Sequence, residues 1–199
     1  MKGKGIASCF SCRADGAASE GVCILVKLSA LGITINDVSF DPSADGKVVT
    51  VVIKIGTLRI KLASVYLPSD PTSRGAAIDD IIASNKLANA HVIGADHNMV
   101  PDTALDTTRD SSTPYENRHS PKWESYLAGL GLEDTLRVTH GRGVKLPATR
   151  FQDGCNTRID RFYTKRQNGF INTSSLNQAR AGSGLQKNQR EASFGARNS

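Results

Sequence analysis

Two short apolar runs, Val48–Ile55 and Leu58–Tyr66, are separated only by Gly56-Thr57. Both are rich in β-branched residues, and the glycine permits the backbone to reverse, so together they read as an antiparallel hairpin. In the second run Leu58, Ile60 and Leu62 alternate with Arg59 and Lys61, which predicts one buried and one wet face. Pro68 and Pro71 forbid further strand pairing beyond it. A third run, Gly21–Leu28, has the same composition and is expected to be a strand buried on both faces.

Helical spacing takes over after the prolines. Ile78, Ile81, Ile82 and Leu87 recur near a helical period, predicting a helix between Ser73 and Ala90 with Ser73 as its N-cap. His91–Ala95 is the next strand. Ser120-Pro121 opens a second helix that places Trp123, Tyr126, Leu127 and Leu130 on one side and ends at Gly131. Ile159–Tyr163 is a further short strand. Strands and helices thus alternate, which is the pattern of an α/β fold.

The chain has 199 residues, 39% of them hydrophobic, enough for one substantial core. Its net charge of +6 is not spread evenly. Residues 158–199 hold eight basic side chains against two acids, whereas residues 1–157 balance at 17 of each. Beyond Gln167 the composition turns to Asn, Ser, Gln, Gly, Ala and Arg, too poor in apolar anchors to offset the entropy of ordering. The expected organisation is an irregular N-terminal segment (1–20), a folded domain (21–166) and a basic, disordered tail (167–199). Such a tail attracts phosphate backbones without specificity, or is a soluble end with no partner.

Four cysteines include one Cys-x-x-Cys, Cys9 and Cys12, but no second pair or histidine couple that would close a zinc site, so they read as reduced thiols. No stretch approaches the roughly 18 apolar residues that span a membrane. A signal peptide is not evident either, so the expectation is an intracellular protein of nucleus or cytoplasm, not a secreted one.

The strand ending at Ala95 is followed by Asp96-His97-Asn98. Side chains two apart leave a strand end on the same side, so Asp96 and Asn98 can face one phosphate or metal. The same pattern also suits a turn in which both side chains bond nearby backbone. Taken alone, these residues leave both readings open.

Three further segments join them: Val65-Tyr66-Leu67-Pro68, Thr149-Arg150-Phe151 and Thr157-Arg158-Ile159-Asp160-Arg161. Their order and spacing resemble the endonuclease/exonuclease/phosphatase superfamily of metal-dependent phosphodiesterases. More narrowly, Asp96 to Asp102 followed by Leu105-Asp106 resembles the endonuclease domain of LINE-type (non-LTR) retrotransposons. Leu130-Gly131-Leu132-Glu133-Asp134-Thr135-Leu136-Arg137 adds that group's Gly-Leu-x-Asp-x-x-Arg. Each motif alone is weak, and five in the family's order are not.

The resemblance implies a two-sheet α/β sandwich, DNase I-like, with the site where strand ends converge. It implies endonuclease-type nicking of DNA, with Asp96 as the acid that deprotonates water and Asn98 as the amide that steadies water and phosphate oxygens. Tyr66 would line the site, Asp160 would support its hydrogen bonding, and Arg158 would contact phosphate. Mg²⁺, a hard ion suited to carboxylate and amide oxygens, is the implied cofactor, with Asp96 and Asn98 as candidate ligands.

Departures from the pattern are equally specific. The family's metal-binding glutamate precedes the position of Gly21, and Glu20 is a poor substitute for it. A Ser-Asp-His segment belongs near the C-terminus, yet no histidine follows His140. The sandwich is therefore expected to be incomplete, with edge strands missing. The alternative function is a catalytically dead fragment that retains at most weak nucleic-acid binding. Such a fragment could contact remaining polyprotein segments if it belonged to a larger reading frame.

Overall fold

The computed structural model describes residues 5–12, 21–108, 117–152 and 155–165. In chain order the strands are β1 (Ile6–Cys12), β2 (Gly21–Lys27), β3 (Val38–Pro42), β4 (Val48–Ile55), β5 (Leu58–Tyr66), β6 (Val92–Asp96), β7 (Leu132–Asp134), β8 (Arg150–Gln152), β9 (Cys155–Thr157) and β10 (Asp160–Lys165). The helices are α1 (Leu28–Leu31), α2 (Pro71–Ser84), α3 (Thr103–Asp106), α4 (Ser120–Gly129) and α5 (Thr135–His140). Six strands form one sheet in the order β3-β4-β5-β6-β10-β7, antiparallel throughout except where β5 and β6 run parallel. β1 and β2 pair as a separate ribbon, and β8 and β9 as a short hairpin.

Strand alternation divides the large sheet into two faces. One face, with Val48, Ala63, Val65, Ile93, Ala95 and Tyr163, packs against Ile78 and Ile81 of α2 and Trp123 and Leu127 of α4. The other, with Val51, Ile53 and Leu62, packs against Ala7 of β1 and Val26 of β2. The fold is thus a mixed α/β one, with a six-stranded sheet between helices and a two-stranded ribbon. The β4–β5 hairpin turns at Gly56, whose φ of +61° is the left-handed conformation that glycine adopts without strain. No helix among the described residues is long and apolar enough to cross a membrane.

Several boundaries differ from the sequence expectation. The segment expected to be irregular contains β1, whose inward residues Ala7 and Ser11 are too small or polar to announce a strand. β2 is covered on one face only: Gly21, Cys23, Leu25 and Lys27 are exposed, because the ribbon has the sheet beneath it and no described layer above. On β5, Leu58 is exposed and the fully buried residues are Ala63 and Val65, which face the helices. The cap of α2 is Asp70 rather than Ser73: its carboxylate accepts from the Ser73 backbone N–H at 2.7 Å, with Pro71 in the first turn. α2 ends at Ser84, before Ala90, because Asn85 turns left-handed at φ +53°. α4 begins one residue early, at Ser120, and buries the predicted face. The basic tail and Glu20 lie outside the described residues.

Candidate active site

β5, β6 and β10 are neighbours, and their register sets the site. Tyr66 pairs with Asp96 across the parallel ladder, and Asp96 pairs with Asp160 across the antiparallel one. The three side chains therefore stand in one row at the end of the sheet, on the face opposite the helix core, since Val65, Ala95 and Arg161 alternate with them. Proline at 68 ends β5 at this level, and the Leu67 N–H closes the ladder on the Asp96 carbonyl at 2.9 Å.

Asp96 is half-buried, and burial raises its carboxyl above the ordinary range. The Asn98 backbone N–H donates to its Oδ1 at 3.0 Å and opposes that rise. Asp160 across the ladder pushes the carboxyl further up, and Arg150 pulls it down. A carboxylate raised in this way is closer to the proton affinity a general base needs.

Asn98 is itself constrained. Its φ of +46° is left-handed, a conformation that asparagine tolerates better than most residues. Its Nδ2 donates to the Leu67 carbonyl at 2.9 Å, which fixes the orientation of the amide and turns Oδ1 away from that carbonyl. The turn reading of Asp-x-Asn is thus realised, since both side chains bond nearby backbone.

Asp160 is held from behind. Thr149 Oγ1 accepts from the backbone N–H groups of Ile159 and Asp160 at 3.1 and 3.0 Å, while the Thr149 N–H donates to the Thr157 carbonyl at 2.9 Å. On the other side the Ile159 carbonyl accepts from the His97 N–H at 3.0 Å and lies 3.1 Å from His97 Nδ1. A carbonyl cannot donate, so the neutral ring carries its proton on Nδ1. His97 is fully buried between Trp123 and Tyr163, and burial first, then Arg161, pushes its pKa down to about 3.

Arg158 does not serve as the expected phosphate contact. Its side chain is 1% exposed, Nη1 donates to Asp106 at 3.2 Å and Nη2 to Asp134 Oδ1 at 2.6 Å. Nor does it form the surface ion pair with Asp160 that adjacency in sequence suggests. It belongs to a buried cluster in which Asp106 also receives Arg137 at 2.6 Å and Arg161 at 3.3 Å. Arg161 reaches Glu124 at 4.0 Å, and Glu124 accepts from the Tyr163 hydroxyl at 2.7 Å. Asp106, Asp134 and Arg137 are motif residues whose shared role only the fold reveals. Arg74 and Glu124 carry no sequence signal, because each sits on a helix where a charge normally faces water.

Asp96 and Asp160, paired across the ladder, offer hard carboxylate oxygens of the kind that suits Mg²⁺, which takes one or two carboxylates and keeps several waters. A cation there would also relieve the repulsion between the two carboxylates. Among the described residues no group of three or more His, Cys, Asp or Glu side chains gathers as a metal site, and the four cysteines are free. The chemistry of the two carboxylates suits the ion, as a site of few protein ligands.

The fold matches solved structures. The endonuclease domain of TRAS1, a telomere-specific non-LTR retrotransposon, superimposes with a TM-score of 0.51 at 16% identity, over 81% of this chain and 67% of that one. The human Nocturnin catalytic domain matches with a TM-score of 0.43 at 11% identity, over 81% of this chain and 61% of that one. The AP endonuclease LMAP from Leishmania major matches with a TM-score of 0.43 at 10% identity, over 81% of this chain and 69% of that one. No protein-family profile matches the sequence, and no curated protein matches it. The chain therefore shares the fold of the TRAS1 endonuclease domain.

Proposed function

We propose that this chain is a metal-dependent phosphodiesterase domain of endonuclease type that nicks DNA. The observation that carries the reading is the row Tyr66, Asp96, Asp160 across three adjacent strands, with the Asn98 backbone N–H on the Asp96 carboxylate. A phosphodiester resists attack because its anionic oxygens repel a nucleophile, so hydrolysis needs a base within reach of water and neutralisation of charge. In this reading Asp96 takes the proton from a water whose oxygen bonds to phosphorus as the bond to the leaving oxygen breaks. Asn98 Oδ1 accepts a hydrogen bond from that water and orients it. Tyr66 lines the row, and Asp160 sets the charge that Asp96 feels. Mg²⁺, when bound by Asp96 and Asn98 beside Asp160, would neutralise the phosphate oxygens. DNA as substrate follows from the resemblance to retrotransposon endonucleases.

The small number of protein ligands at the site supports a second reading, a domain that keeps the fold but has lost catalysis. A supercoiled-plasmid nicking assay with and without Mg²⁺, comparing the chain with Asp96→Ala, separates the two. The first reading expects Mg²⁺-dependent nicked circles that Asp96→Ala abolishes. Equal background cleavage in every lane rejects it and favours the second.

A further inference from the structure

Arg74 is charged and buried, and the chemistry above makes no use of it. It lies one turn into α2, where only 1% of the residue is exposed. The inward face of that helix is otherwise Ala77, Ile78 and Ile81, so an inward guanidinium is unfavourable unless its donors are met. Backbone carbonyls meet those of Nη1, whose two hydrogens are shared among Pro68 at 3.2 Å, Ser69 at 3.0 Å and Asn98 at 2.6 Å. Pro68 and Ser69 follow Tyr66 at the end of β5, and Asn98 follows Asp96 at the end of β6. One side chain therefore ties together the two strand ends that carry the site.

The bond to Asn98 is the shortest of the three. A left-handed residue other than glycine persists only where its surroundings hold it. Here the Asn98 carbonyl rests on Arg74 while its Nδ2 rests on the Leu67 carbonyl. That same conformation brings the Asn98 N–H to the Asp96 carboxylate.

We propose that Arg74 is a positioning residue: by gripping the Asn98 carbonyl it fixes the left-handed turn that sets the Asn98 N–H on the Asp96 carboxylate. The catalytic consequence rests on the function proposed above, whereas the geometric one does not. All three carbonyls accept from the one nitrogen Nη1, so a lysine ammonium, which carries its donors on a single atom, restores the grip in part, and methionine, which has none, removes it.

The test is nitrogen-15 NMR of amide hydrogen exchange at position 98 in the full chain. Arg74→Met keeps the stem but removes the donors, so the Asn98 N–H leaves the carboxylate and exchanges about tenfold faster or more. Arg74→Lys restores part of that protection. In an Asn98→Gly background Arg74→Met accelerates exchange less, because glycine adopts the left-handed turn unaided. Unchanged exchange in a folded Arg74→Met chain overturns the proposal. Arg74→Gln is the second variant, and unfolding of both overturns it too, by making Arg74 a residue of the fold and not of the site. The measurement needs no activity, so a chain that fails to nick DNA defeats the endonuclease reading and leaves this one to be judged by the exchange. In an active chain Arg74→Met lowers kcat about tenfold or more with KM retained.

Discussion

Arg158 and Asp106 stand 52 residues apart in sequence and 3.2 Å apart in space, with both side chains sealed from solvent. Around that contact gather Arg137, Arg161, Asp134 and Glu124, so three guanidiniums share three carboxylates. The Arg158 backbone N–H also donates to the Asp106 carbonyl at 2.8 Å. Residues 157–161 are thereby anchored on the helix side of the sheet, and strand alternation then delivers Asp160 to the opposite face, beside Asp96.

Removing one member of such a cluster strands its partners without water. Arg158→Met leaves the Asp134 carboxylate short of its main cation, and breaking a buried pair on one side costs about 3–5 kcal/mol. Urea unfolding followed by circular dichroism should register a loss in that range. A loss below about 1 kcal/mol, the range of exposed pairs, would show that the cluster is hydrated and contributes little.

The legibility of this chain in sequence follows the physics of each element. β4 and α4 are evident because their apolar residues are the buried ones, and Trp123 and Leu127 lie where spacing puts them, whereas β5 is legible as a strand but buries Ala63 and Val65 most deeply and leaves Leu58 exposed. Tyr66, Asp96 and Asp160 are legible as neighbours because strand ends fix their directions, whereas the direction of Asn98 is set by a left-handed turn that the sequence does not announce. β1 is not, since its buried residues Ala7 and Ser11 carry no hydrophobic signal. Arg158 misleads, because nothing local separates an arginine that meets phosphate from one whose carboxylates arrive from distant segments. Arg74 is silent for the same reason: its partners are carbonyls of two loops that only the fold brings together.

Asp160→Asn tests the coupling within the site row. Asp160 raises the Asp96 carboxyl, so neutralising position 160 should move the Asp96 midpoint down, toward the ordinary carboxylate range. A raised folded-state pKa means the stabilising contribution is present at low pH and lost as pH rises, so the variant should also gain stability at neutral pH. NMR titration of Asp96 reads the first effect and urea unfolding the second. A midpoint that stays put would place the two carboxylates too far apart to act as one site.

His97 has the opposite sign. Its folded pKa of about 3 lies below the ordinary 6.5, so the folded state binds fewer protons and stability falls as pH drops through that window. Between pH 7 and about pH 5 the loss from this one group is about 2 kcal/mol. Asp96 and Glu124, raised mainly by burial, act in the other direction over part of the range. A His97→Phe variant isolates the histidine: stability curves of the two chains should converge as pH falls. Parallel curves would mean that the ring is reached by water and titrates normally.

Gly94 lies on β6 between the site and the open part of the sheet face, paired with Phe162. A Cβ at position 94 would stand 2.9 Å from the Phe162 ring, closer than real contacts allow. The ring itself is 51% exposed, so it can swing away, and the cost of Gly94→Ala should sit in the overpacking range of about 1–3 kcal/mol. Opposing it is the stiffening of the unfolded chain by alanine, worth about 0.4–1 kcal/mol, so overpacking wins. In a Phe162→Ala background the clash is gone and only the stiffening remains, so the same substitution should become neutral or stabilising. The double-mutant cycle should therefore give a coupling of at least about 1 kcal/mol. Additive effects would mean that the phenyl ring does not rest on the Gly94 backbone in solution.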